Sequence, residues 1–454
     1  MAQSVITRRI VVAGGVFAPG HLGELTRIVP FEMVDGVLAD CGAAQRRVRK
    51  LPARVVVYVL LAAALFEPAG YLSVWRKLTS ALDGAGVAPV TAGALWQART
   101  RLGPAPLRAL FDLLRGSPAA PGTSGSWWRG LLVCAIDGTT LDVPDTPGHR
   151  ACLGKGSNQY TAACGYPQIR LVVLVACGTR AILDAVFGPT ADGEPAYLPR
   201  LLRSVHSGMI VLLDRGLSSN ALLAAVAGAQ ADFLARLSAS RKPPVLARLP
   251  DGSFLSMLGG VSVRIIECQI TIATTAGRRT GTYRLATTLL DHRHHPAFEL
   301  VTLYHQRWEI ESAYFEIKKT MLGRRVLRAR TLPGIIQEIY ALLTVYQALR
   351  IAIADATLTA PGTDPDRASF TIALHAARDQ AIQAANVIAG ETIDLAGTIG
   401  RHILDNLLPA RRLRLSPRAV KRPLSRYAYK SLQVNRRTYQ ATISIDILTN
   451  PPSP

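Results

Sequence analysis

Nowhere do the 454 residues hold an apolar run long enough to cross a bilayer. The best candidate, Val55 to Phe66 (VVVYVLLAAALF), is bounded by Arg54 and Glu67 and supplies about half of the ~20 apolar residues a span needs. It reads as a buried helix. Six cysteines are scattered without a C-x-x-C pair, which argues against both a zinc knuckle and a disulfide framework. Acidic residues are scarce as well: 31 Asp and Glu face 52 Lys and Arg, a net charge of +21. That excess points to nucleic acid or an anionic membrane as the partner. Only eight of the cations are Lys, and arginine suits phosphate recognition. Arg8 and Arg9 followed by IVVAGGVFA resemble an export signal, but the run is short, is broken by Gly14 and Gly15, and has no A-x-A site after it. A reducing cytoplasm is the expected compartment.

The length suggests two to four domains. Residues 1–115 read as a small helical module, with Arg46, Arg47, Arg49, Lys50 and Arg54 clustered ahead of its apolar helix. GSPAAPGTSGS, within residues 116–126, cannot hold a packed element and marks a linker. Strands are then expected at Leu131–Ile136, Ile169–Ala176, Ala181–Phe187, Met209–Leu213 and Asp232–Leu237, with helices at Pro199–Val205 and Leu222–Ala227 between the later ones. This order predicts a mixed α/β core over residues 127–238. Short β-like runs make residues 239–296 a β-rich insertion, and residues 297–354 return to the core. Residues 355–454 form a basic C-terminal region for DNA binding or dimerisation, with 11 cations against two acids from Arg401 onward. There is no internal repeat.

The richest stretch is YHQRWEIESAYFEIK, in which Tyr304, Arg307, Glu311 and Lys318 follow a Y-x2-R-x3-E-x6-K spacing. At about 100° per residue these four share one narrow stripe of a continuous helix. Glu309, Ser312, Glu316, Lys319 and Thr320 fill a separate polar arc, expected to face solvent, while Trp308 and Phe315 flank the stripe on the apolar side, with Trp308 expected in the core. A carboxylate on the apolar side needs a cation, a metal or a partner bound to a polyanion. An internal Arg307 to Glu311 ion pair at i,i+4 is the simpler alternative. Two more acids sit at expected strand ends: Asp137 after LLVCAI, opening DGTT, and Asp214 after MIVLL, opening DRG. Each has a plain alternative as a turn residue. Together the three match a two-metal phosphoryl-transfer site, which needs hard oxygen ligands around ions ~3.5 to 4 Å apart. Magnesium, two ions with Mn2+ as a substitute, is the expected cofactor. Lys319, Arg324, Arg325, Arg328 and Arg330 follow Lys318 with no acid among residues 318 to 330, a candidate DNA-contacting run.

IDGTTLDVPDT, LLDRG and the complete Y-R-E-K run, with RKLP at Arg49 to Pro52 and RARTLPGIIQEIYALL, resemble DDE transposases of the insertion-sequence-four group over roughly residues 20 to 350. The resemblance implies a ribonuclease-H-like core interrupted by a β insertion, with Asp137, Asp214 and Glu311 as catalytic triad. Tyr304, Arg307 and Lys318 would hold the DNA backbone. It implies metal-dependent cleavage at terminal inverted repeats and strand transfer by cut-and-paste through a hairpin, in a homodimer formed on paired ends and target DNA. No membrane and no small-molecule substrate enters. Family members can stack an extruded base on a tryptophan of the insertion; residues 239 to 296 contain none, and offer Phe254, Tyr283 or a histidine instead. Rival readings are a nuclease of the same fold without strand transfer, a transposase-derived DNA-binding repressor, and a membrane-surface protein resting on charge alone.

Overall fold

The computed structural model describes residues 21–44, 49, 51–79, 90–158, 161–274, 277–383, 397–410 and 441–448. Five helices come first: α1 (Phe31–Asp40), α2 (Ala53–Leu65), α3 (Tyr71–Thr79), α4 (Ala92–Leu102) and α5 (Ala105–Leu114). They are followed by β1 (Trp127–Trp128), β2 (Leu131–Asp142), α6 (Pro147–Leu153), β3 (Lys155–Asn158), β4 (Thr161–Ala176), β5 (Ile182–Pro189) and α7 (Glu194–Leu201). Next are β6 (Met209–Leu213), α8 (Asn220–Gly228), β7 (Asp232–Arg236), β8 (Ala247–Arg248), β9 (Phe254–Leu258), β10 (Val261–Thr274) and β11 (Gly277–Thr287). The chain then forms α9 (Ala297–Tyr304), α10 (Trp308–Phe315), α11 (Leu332–Leu358), α12 (Phe370–Gln383), α13 (Thr398–Leu404) and β12 (Ala441–Ile447). The order of an antiparallel meander, then helix, strand, helix and strand, with a β insertion before α9, is the mixed α/β, ribonuclease-H-like class expected. Two compact units result: Met1–Met209 with Arg307–Leu408, and Ile210–Gln306 with Pro409–Pro454.

In the first unit β4 lies between β2 and β5, antiparallel to both, and its first half pairs with β3. β2 continues through DGTT to Asp142, so Asp137, expected at a strand end, stands within a strand opposite Val173, and the plain alternative of a D-G turn is absent. The five N-terminal helices share their core with α11, which packs against α2, α4 and α5. Gln347 of α11 donates to the carbonyls of Leu114 and Gly116 and accepts from the Ile182 amide, satisfying three backbone groups with one buried amide. α11 has the length and hydropathy of a membrane span, an element the sequence reading did not anticipate, yet 78% of its apolar window is buried inside the fold. It is a core helix. No helix or strand forms over residues 116–126.

Arg328 closes one joint of this unit. α2 ends at Leu65, leaving its last carbonyls without helical partners. The Arg328 Nη2 donates to the carbonyls of Ala63 (2.8 Å), Phe66 (3.1 Å) and Glu67 (2.6 Å), Nε to Ala69, and Nη1 to Glu338 at 3.0 Å. The DNA contact expected of Arg328 is therefore replaced by a helix-terminating role, with every nitrogen of the fork engaged.

In the second unit β6 and β7 are parallel, joined by α8, and β7 pairs antiparallel with β11. β10 pairs with β11 along one edge and with β9 and then β12 along its length. The buried Arg264 ties the insertion together through Ser253 Oγ (2.8 Å), the His295 carbonyl (2.6 Å) and Asp251. Phe254 is 5% exposed, so of the aromatics proposed for base stacking it is withdrawn into the core. Most of the basic C-terminal cluster, from Arg411 through Arg437, and Arg46, Arg47 and Lys50 lie outside the described residues.

Candidate active site

Alternation along β2 puts Asp137 and Thr139 on one face of the strand, and α10 packs across it. Arg307, at the head of α10, sits 3.8 Å from Asp137 Oδ2 and 3.6 Å from Glu311 Oε1. One buried guanidinium thus serves two carboxylates, and the simple i,i+4 pair accounts for only part of what it does. Asp137 also accepts from the Gly138 amide at 2.8 Å. Burial pushes the Asp137 carboxyl up to about 6; the Gly138 bond and Arg307 oppose this, while Glu194 and Glu311 add to it.

Glu194, the first residue of α7, was not anticipated. It pairs with Arg170 at 2.9 Å and lies so close to Gly138 that a β-carbon there would come within 2.6 Å of its Cγ. The glycine after Asp137 is thereby explained by space and not by a turn. Tyr314 and Thr139 were also missed. The buried Tyr314 hydroxyl donates to the Asp137 carbonyl, and Lys318 Nζ donates to Thr139 Oγ1 at 3.1 Å. Only the DGTT spacing hinted at Thr139. Tyr314→Phe removes the single bond from α10 to the Asp137 backbone; urea denaturation should register a loss of about 1 kcal/mol.

The continuous helix expected over the Y-R-E-K run is in fact three segments. A 3-10 turn at His305–Arg307 separates α9 from α10, and a π-helical stretch follows at Glu316–Met321. Each change of pitch shifts the phase, so a uniform wheel misassigns faces. Glu309 and Glu316, expected in solvent, are each 8% exposed, whereas Trp308 and Phe315 are 43% and 53% exposed. Trp308 is not core. Lys319 lies over the Phe315 ring at 4.7 Å and Arg307 over Trp308 at 5.8 Å.

Tyr304 is buried, and its hydroxyl donates to the Leu213 carbonyl at 3.2 Å. Its one proton is committed to supporting the residue before Asp214, in place of the phosphate contact expected. Asp214 follows β6 as the residue before a 3-10 turn, Arg215–Leu217, and its side chain makes no capping bond. The turn-assisting alternative for this carboxylate therefore fails. Lys319, within the π segment, and Arg324 and Arg330 beyond it are exposed, and Arg325 is 58% exposed beside Glu67 at 3.4 Å.

Among the described residues no three His, Cys, Asp or Glu side chains form a ready-made metal-binding group. Asp137 and Glu311 supply two hard oxygen donors, and the raised Asp137 carboxyl is one whose ionised form a divalent cation would favour. The donor chemistry fits such an ion.

Residues 19–112 match the insertion element 4 transposase N-terminal family, and residues 128–348 match the transposase DDE domain. The chain belongs to the insertion-sequence-four DDE transposases. It is 26% identical over 409 residues to transposase InsG for insertion sequence element IS4 of Escherichia coli strain K12, covering 86% of this chain and 90% of that one. It is 31% identical over 196 residues to the putative transposase InsZ of the same organism, covering 43% of this chain and 64% of the relative. A solved piggyBac transposase synaptic complex with hairpin DNA aligns over 85% of this chain and 84% of that one, at 10% identity and a TM-score of 0.42. The transposase is thus an insertion-element enzyme that acts on DNA, and its DDE domain implies dependence on a divalent metal.

Proposed function

We propose that this transposase excises and reinserts its element by cut-and-paste, using Asp137, Asp214 and Glu311 as metal-holding carboxylates. The observation that carries the reading is the sharing of Arg307 between Asp137 and Glu311, on a strand and a helix locked together by Tyr314 and Lys318. Two Mg2+ ions, or Mn2+ in their place, would supply Lewis acidity to the attacking and departing oxygens. The chain's own groups do the rest. Arg307 offsets negative charge around the two acids, and Lys318 is aimed by Thr139 at the same edge. Lys319, Arg324, Arg325 and Arg330 track the phosphate backbone and release its counterions. Water would nick one strand, the freed 3′ hydroxyl would attack the other to close a hairpin, and after reopening the 3′ ends would join target DNA. The helical N-terminal domain reads the inverted repeat, the C-terminal region assists binding or dimerisation, and a homodimer pairs the ends in the cytoplasm.

A duplex carrying the element's own end tests this. With Mg2+, wild-type protein should nick it, Asp214→Asn and Glu311→Gln should not, and all three should bind it alike. Pre-cut ends with a 3′ hydroxyl should yield joined products with a target plasmid. Cleavage without joining would instead establish the nuclease.

A further inference from the structure

Among the described residues, a large group of buried charge gathers around Arg180 and takes in Glu309 of α10. Arg180, 4% exposed, ends the turn between β4 and β5 with a left-handed φ of 57°. Its Nε meets Glu309 Oε2 at 2.5 Å, Nη1 meets Glu316 Oε1 at 3.1 Å, and Nη2 meets Asp366. Arg350 pairs with the other oxygen of Glu316, and the Tyr346 hydroxyl lies 3.0 Å from the Arg180 carbonyl and 3.1 Å from Glu316 Oε2. Two cations and three carboxylates are buried together, at a desolvation cost that apolar packing would avoid.

The placement of these carboxylates gives the network a direction. Glu309 and Glu316 bracket Glu311 in sequence, one in α10 and one in the π-helical stretch. At about 100° per residue Glu309 faces away from Glu311, so a grip on Glu309 fixes the rotation of the segment about its own axis. A planar fork that uses all three nitrogens sets direction as well as charge. Arg180 itself sits in the turn that joins β5 to β4, the strand that pairs with β2 at Asp137. The hairpin that holds Asp137 from one side therefore holds the Glu311 segment from the other.

We propose that Arg180 is a positioning residue for DNA cleavage: through Glu309 and Glu316 it fixes the rotation of the Glu311 segment, and so the separation of Glu311 from Asp137. This rests on Glu311 being a catalytic carboxylate. Full-length Arg180→Lys keeps the charge and loses the fork. Its cleavage rate at saturating protein should fall at least about tenfold, since a displacement of ~1 Å costs that much or more. The protein concentration at half-saturation of end DNA should stay within about threefold, and amide exchange should quicken over residues 308–315 but not over β2. A folded Arg180→Lys protein that cleaves within about twofold of wild type overturns the proposal, as does a rate lost only in proportion to the unfolded fraction. Should Arg180→Lys not fold, Glu309→Gln, which keeps an acceptor facing Nε, takes its place: the same tenfold fall and quickened exchange are expected, and a rate within about twofold of wild type overturns the proposal. Glu311→Gln serves as the control: if it cleaves normally, the catalytic reading itself fails. If it is inactive while Arg180→Lys is normal, only the positioning role does.

Discussion

Asp137→Asn should abolish strand cleavage and at the same time raise the melting temperature of the metal-free protein at neutral pH. The carboxylate is held where burial and two neighbouring acids disfavour its charge, which lifts its pKa to about 6. For a group raised in the folded state, the associated stability is fully present below the unfolded value of about 4 and is lost as pH rises through about 6. Asparagine escapes that loss. The variant's advantage should be absent below about pH 4 and should reach about 1–2 kcal/mol above pH 6, the group being partly solvated and the full shift therefore discounted. Adding Mg2+ should reverse the ranking, because a ligand that binds only the folded wild type stabilises it alone. Cleavage of an end duplex should fall by about a thousandfold or more, the loss of several kcal/mol of charge stabilisation. Thermal melts across pH, with and without the metal, check the first part, and single-turnover cleavage the second. A variant no more stable than wild type at pH 8 without metal would show that Asp137 is not strained by its surroundings.

Arg328→Met should be the most damaging substitution outside the acidic residues. It strips donors from the end of α2 and leaves Glu338, whose side chain is 7% exposed, without its buried cation. Breaking one side of such a pair costs about 3–5 kcal/mol. Against a total stability of about 5–15 kcal/mol this is enough to unfold much of the protein near its working temperature. Urea denaturation gives the direct measurement. The alternative role, a phosphate contact, leaves a different trace: unchanged stability and a salt dependence of DNA binding shallower by about one unit. Lys319→Ala, at an exposed position in the same run, should show that second pattern.

These two residues also mark where sequence reading succeeds and where it stops. Strands β2 and β6 and the helix between β6 and β7 were legible because apolar runs are local properties, and motif spacing, also local, singled out Asp137, Asp214 and Glu311 for the role proposed above. Arg328 was not, because its partners at Ala63 to Ala69 and Glu338 come together only through packing. The faces of α10 were misread for two reasons. A uniform periodicity cannot register a 3-10 turn and a π stretch on either side, and the buried Arg180 that donates to Glu309 and Glu316 lies more than a hundred residues upstream. The same absence of long-range information left a turn open as an alternative at Gly138, when the side chain of Glu194 decides its identity. Membrane-span criteria applied to α11 fail in the opposite direction, since its apolar length serves the interior of the first unit.

The pairing of β12 with residues 268–274 of β10 bears on how the protein comes off the ribosome. Among the described residues, half of one edge of β10 is covered by residues 441–447 alone, so the insertion's sheet cannot close until those residues have left the exit tunnel. Until then its backbone amides and carbonyls are exposed to other strands. A shortened product ending before residue 441 leaves that edge open and should be an aggregation-prone polypeptide rather than a working dominant inhibitor of the element that encodes it.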